Sequence, residues 1–169
     1  MKPYQLNVVP GSREQILAQI AALLEGVSGL AGFYRDRGDF QEFQLPAVLL
    51  LDGSEELVSE ILPRKTVYMP PAIMRLQPEI FVLLKRRDDA SNLTVNDGVA
   101  APIGPEISFW RDLVLSTLIN DSVLAGLLTT TGQIVYRGCQ TDMATGRTLY
   151  GELQLFVDFH YVWEPPAPF

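Results

Sequence analysis

One cysteine and one histidine occur in 169 residues, and that scarcity removes much of the familiar catalytic chemistry at once. A lone Cys139 cannot form an internal disulfide and reads as a small, half-buried residue of a protein kept in a reducing compartment. A lone His160 excludes any site needing two imidazoles, and a Cys/His zinc centre would need more sulfur. The phosphate loop G-x-x-x-x-G-K-S/T is missing, as are the G-x-S-x-G elbow and the H-E-x-x-H pair. Gly26, Gly29 and Gly32 lack the dinucleotide spacing and follow a helical pattern instead of preceding one. Basic charge is also short: 13 Lys and Arg stand against 20 Asp and Glu, for a net charge of -7. Phosphate gripping depends on Lys and Arg, so such a surface is not made to hold nucleic acid, although it would let DNA slide past. No apolar run approaches the roughly 20 residues that cross a bilayer, and Met1 to Gln5 lacks a signal-peptide core, so a cytosol-like setting is expected.

What is present is ordinary globular material. Hydrophobic residues make up 47% and charged residues 20% of the chain, enough to bury one core. The expectation is a single domain over residues 1–169. Ser12, with Gln15 three positions on, forms a capping-box pattern. It opens a predicted helix to about Val27 whose stripe is Ile16, Leu17, Ile20, Leu23, Leu24 and Val27. A short strand is expected around Phe33 to Arg35. Leu45 to Leu51 reads as a buried strand closed by an Asp52-Gly53 turn, with Ser54 to Arg64 an acidic short helix or excursion. Pro70-Pro71 places Met69 to Ala72 at an edge or bend, and Pro78 introduces a second apolar strand, Ile80 to Leu84.

Asp88 to Glu106 is rich in Asp, Asn, Gly and Pro and is expected as a long loop. A second helix is predicted from Ser108 to about Asn120, with Phe109, Leu113, Leu118 and Ile119 on its apolar face. Asp121-Ser122 interrupts it before a short segment, Val123 to Leu128. The last third reads as a hairpin of Gln133 to Met143 and Leu149 to Trp163. In the second arm the odd positions from Leu149 to Trp163 are apolar apart from Gly151, while Glu152, Gln154, Asp158 and His160 alternate with them. That is a strand with one face on a core and one in a wetter place. At about 15 residues it exceeds the usual five or six, so it bends or projects beyond its domain. The tail from Glu164 to Phe169 is Pro-rich and should run extended. Together these elements predict an α+β fold: a mostly antiparallel sheet of four or five strands with two main helices packed on one face.

Candidate chemistry is sparse. His160 lies on the polar face of the long strand with no marked serine partner, so it reads as a solvated or interface histidine. Asp36, Asp39 and Glu42 cluster with Arg35 and Arg37, and Asp88 and Asp89 follow Arg86 and Arg87. Paired carboxylates can hold a cation or act as acid and base, but beside arginines in turn-like segments they read as charge-balanced loops. Arg64-Lys65 and Lys85-Arg86-Arg87 lack the interleaved aromatics of a base-stacking surface. No catalytic, cofactor-binding or metal-binding residue is expected, and the protein is expected not to be an enzyme.

Four features in order carry a family resemblance from about Ser12 to Trp163. They are the opening helix ending in Glu25-Gly26-Val27; the strand opening Leu45-Pro46-Ala47-Val48; the helix running into Asn120-Asp121-Ser122-Val123-Leu124-Ala125-Gly126-Leu127; and the long alternating strand ending in an aromatic residue. In this order they resemble the tail terminator (tail-completion) proteins of long-tailed bacteriophages, the lambda-type minor tail proteins. The resemblance implies a virion protein of the tail and neck, assembled in the host cytoplasm. It implies a hexameric ring that caps the tail tube, stops its polymerisation and meets the head-neck connector proteins. DNA would pass through its centre without sequence-specific binding. Pro70-Pro71, the Asp88 to Glu106 loop and the Pro-rich tail have no counterpart in that pattern. The residues alone also allow a neck or tail adaptor or assembly chaperone working as a monomer or dimer, and a small hydrolase built on the Asp36/Asp39 or Asp88/Asp89 clusters.

Overall fold

A computed structural model describes residues 12–36, 44–61, 70–85, 104–128, 134–142 and 150–165. The elements in chain order are α1 (Ser12–Glu25), β1 (Gly32–Arg35), β2 (Ala47–Glu60), β3 (Ala72–Lys85), α2 (Gly104–Ile119), α3 (Ser122–Leu127), β4 (Ile134–Asp142) and β5 (Tyr150–Trp163). The strands form one five-stranded sheet in the order β1-β2-β3-β5-β4. Only β1 and β2 run parallel; every other neighbouring pair is antiparallel. The expected α+β class and mostly antiparallel sheet are what the chain adopts.

The alternation predicted for β5 places its side chains as expected. Leu153, Leu155, Val157, Phe159 and Tyr161 all point into the main core. They meet Ile16, Leu17, Ile20 and Leu24 of α1, the buried side of α2, and Leu124 of α3. From β2 and β3 the same face receives Val48, Leu50, Leu76, Ile80, Val82 and Leu84. The helices therefore gather on one face of the sheet. The other face carries a small satellite cluster of Leu45, Ala47 and Leu83.

Several expectations need correction. Ser12 is itself helical in α1 instead of flanking it as a cap, and the residues before it lie outside the described ones. α2 begins at Gly104, four residues before the predicted start. Its buried positions are Trp110, Val114 and Leu118, a stripe of i, i+4, i+8 spacing, while Phe109 and Ile119 are exposed. Phe109 instead lies edge-on to Trp110, with ring centroids 5.4 Å apart. Asp121 does interrupt the helices as expected. It caps α3, its carboxylate accepting from the Leu124 backbone N–H at 2.6 Å and from Gln19 Nε2 at 3.1 Å. One side chain thus closes a helix end and ties α3 to α1.

The largest difference lies in β2. Asp52-Gly53 does not close this strand; it is a β-bulge, and the strand continues to Glu60. Gly53 sits at φ 65°, and a Cβ there would fall 2.0 Å from the Gln77 carbonyl oxygen. Only glycine fits such a close approach at positive φ. The extra residue reverses the strand's parity. Before the bulge the even residues Val48 and Leu50 face the helices; after it the odd residues Glu55 and Leu57 do, opposite Leu76 and Met74. Pro78, expected to introduce a strand, lies inside β3 at the level of this bulge. It has no paired residue on either side, so its missing N–H breaks no rung of the ladder at an otherwise regular position.

Candidate assembly surface

Three places on the sheet collect functional-looking side chains. The first is a clamp between α1 and the β1–β2 corner. Arg35 of β1 donates to Glu14 through both terminal nitrogens (2.9 and 3.0 Å) and to Asp52 through Nε and Nη2 (3.0 and 3.2 Å). Arg13 adds longer contacts to Asp52 at 3.7 Å and Glu55 at 3.9 Å. Hydrogen bonding from Arg35 holds the Glu14 carboxyl below its ordinary range, against the opposing effect of burial. The same bonds push the Arg35 guanidinium upward. Asp36, with φ 51°, accepts from the Asp52 backbone N–H at 3.0 Å. Of the acidic cluster singled out in the sequence, Asp36 is thus occupied in holding a corner. Asp39, Glu42 and Arg37 lie outside the described residues, as do Asp88, Asp89, Arg86, Arg87, Arg64 and Lys65. Bidentate arginine pairs favour fixed geometry, so this cluster is a fastening.

The second place is the helix-free face around Asp158, which is 2% exposed. Gln77 Nε2 donates to its Oδ1 at 3.0 Å and Arg137 Nε to its Oδ2 at 2.8 Å. Arg137 reaches it from a second bulge, between Tyr136 and Gly138 of β4. Burial pushes the Asp158 carboxyl up, but the two hydrogen bonds and the arginine charge outweigh it and hold the group below its usual range. An open cavity of about 570 Å³ lies over this row, lined in part by Ser54, Glu79, Gln154 and Phe156. His160 lies on the same face, paired across from Arg75. Arg75 in turn holds Glu56. No described group of three or more His, Cys, Asp or Glu side chains is arranged to hold a metal ion.

The third place is the far end of β2, β3 and β5. Each of these strands has 14 residues, about 45 Å of extended chain at the usual rise. Leu57 and Val58 are 58% and 51% exposed, and Ile61 and Val162 are also exposed. Below Leu57 a cavity of about 390 Å³ is lined by Met74, Ala72, Trp163 and Pro70, with Glu55 and Glu60 at its rim. The Tyr161 hydroxyl donates to Glu55 at its inner end. The length of β5 predicted a strand that bends or projects, but Tyr161 near its end is fully buried and Trp163 packs against the core, so the exposed end is mainly that of β2.

Comparison with family models and with curated proteins finds no match. Cys139, expected half-buried, is exposed on β4, because β4 is an edge strand with no described strand beyond it. The side chain of Lys85 and residues 88–103 lie outside the described residues, as do 166–169 of the tail. No described helix is long and apolar enough to cross a membrane. Sequence reasoning missed the Asp158 row and the Arg35 clamp. Gln77 and Asp158 stand 81 residues apart, and Glu14 and Arg35 stand 21 apart. Neither pair leaves a local spacing signal.

Proposed function

We propose that this chain is a non-enzymatic structural protein of a phage tail and neck. It forms a ring that caps the tail tube, stops its polymerisation and joins it to the head-neck connector proteins. The reading carries over the hexameric ring and the central passage of DNA from the resemblance to tail terminators. The observation that supports it best is the exposed apolar end of β2, β3 and β5. Exposed Leu57, Val58 and Ile61 beside a Trp163-lined hollow contribute little to the chain's own core. Rimmed by Glu55 and Glu60, they have the character of a protein contact. The strongly coordinated carboxylates point the same way, since Glu14, Asp52 and Asp158 are engaged by arginines that fix the fold. Net acidity suits a passage through which DNA moves without being held.

Electron microscopy of the protein mixed with tail-tube subunits tests the reading. Tubes of fixed length with added density at one end are expected. Tubes of uncontrolled length with no added density would sink it, and a stable monomer or dimer bound elsewhere on the neck would favour an adaptor or chaperone.

A further inference from the structure

Two edges of the sheet are open among the described residues. β1 covers β2 only from Ala47 to Leu50, so no described strand pairs with the outer edge of β2 from Leu51 to Glu60. At the opposite end of the sheet, no described strand lies beyond β4. Unpaired edges are templates for a further strand. The geometry points to a head-to-tail joint in which β4 of one copy pairs with the outer half of β2 of the next. This inference rests on the ring reading and names its contact.

Four features select a second copy as the occupant. The first is direction: across β2-β3-β5-β4 each neighbouring pair is antiparallel. β4 therefore runs opposite to β2, and a copy set alongside meets it in an antiparallel ladder. The second is length: β4 has nine residues, and although Asp52 already donates its backbone N–H to Asp36, Gly53 to Glu60 can take most of them. The third is parity. With Leu57 opposite Tyr136, both side chains lie on the helix-covered face, as their partners Met74 and Val157 show. Val58, at the second irregularity of β2, then comes level with Val135, and on the helix-free face Glu56 stands beside Arg137. The fourth is charge: the free half of β2 carries Glu55, Glu56 and Glu60, while Arg137, half exposed, is the charged side chain described on β4.

The offset between copies supports closure. Within one copy, Asp142 shares a cross-sheet row with Glu152, Leu83 and Ala47. At the joint it falls beside Leu51, because β1 already occupies the start of β2. Each copy therefore steps four residues along the strands for every four strands around. At about 3.3 Å per residue and about 4.8 Å between strands, that tilts the strands by about 35°. Closed β-barrels tilt theirs by roughly 35–45°. A heterologous contact makes a ring where its rotation closes, and this offset is one that closed sheets use.

Disulfide trapping tests the joint. In a Cys139→Ser background, Val58→Cys and Val135→Cys are combined, and the protein is oxidised with and without tail-tube subunits. Within one copy these positions are separated by β3 and β5, about 14 Å at the usual strand spacing, too far for a disulfide. The expected result is a ladder of covalent multimers, with each single-cysteine variant giving none. A second variant, Leu57→Arg, should keep its circular dichroism spectrum and lose the multimers. Three outcomes overturn the joint: a ring or tube cap without cross-links, single variants that cross-link as well as the pair, or Leu57→Arg rings of unchanged size. In each of these the ring reading survives. Absence of any multimer or cap under all conditions would overturn both.

Discussion

The two halves of β2 share a strand and little else. From Ala47 to Leu50 the side chains are mostly buried, paired with β1 on one side and β3 on the other. From Gly53 to Glu60 every residue is exposed, and β3 is the one described strand that pairs with it. The first half is explained by the chain's own core. The second contributes little to that core, yet it keeps a regular antiparallel ladder to Glu60 apart from two irregularities. An edge of this length with exposed apolar side chains is a liability in a lone monomer, which is the strongest physical reason to look for a neighbour there.

The largest test of the contrast is Leu50→Ala, which removes a fully buried side chain and should cost about 2–5 kcal/mol in urea unfolding. A cost near zero would mean that the first half is not the anchored one. Gly53→Ala should follow at about 2–4 kcal/mol, from its positive φ and the clash with Gln77. If it were neutral, the bulge dividing the two halves would not be needed.

Asp158→Asn should cost about 1–3 kcal/mol at neutral pH by weakening a buried, doubly hydrogen-bonded carboxylate. Its pH dependence is the sharper readout. The folded pKa lies below the ordinary 3.8, so the stabilisation is present above that value. It disappears as pH falls through the folded pKa. The variant should therefore lose stability less steeply than the parent below about pH 4. Some acid slope should remain, because Glu14 is shifted in the same direction. Equal acid slopes would show that Asp158 is not held as described. Smallest of all, Leu57→Ala should shift stability by no more than about 0.5 kcal/mol. A cost of several kcal/mol would erase the distinction between the halves.

How much of this could be read in the sequence depends on where each residue's partners lie. β5 was legible because a strand with one buried face writes its alternation into consecutive residues. The α1 stripe was legible for the same reason at helical period. The outer half of β2 was not, since residues exposed on both faces have no periodicity to show. Asp52-Gly53 was read as a turn because positive φ at glycine serves turns and bulges alike. Pro78 misled because a bulge beside it relaxes the usual rule, and that bulge belongs to another strand. Within α2 the apolar residues surround much of the helix, so Trp110, Val114 and Leu118 were distinguished from Phe109 and Ile119 only by packing. The Asp158 row and the Arg35 clamp join residues distant in sequence, and composition alone does not assemble them.

The strand order also constrains the history of each molecule. β5 lies between β3 and β4, but it follows both in the chain. While the ribosome is still making residues 150–163, β3 has one side without its partner and β4 has no described neighbour at all. The apolar faces of α1, β2 and β3 must wait for Leu153, Leu155, Val157, Phe159 and Tyr161 before the core can close. Folding is therefore gated by the synthesis of β5, and a nascent chain stalled before β5 should be far more prone to aggregate than one that has passed it.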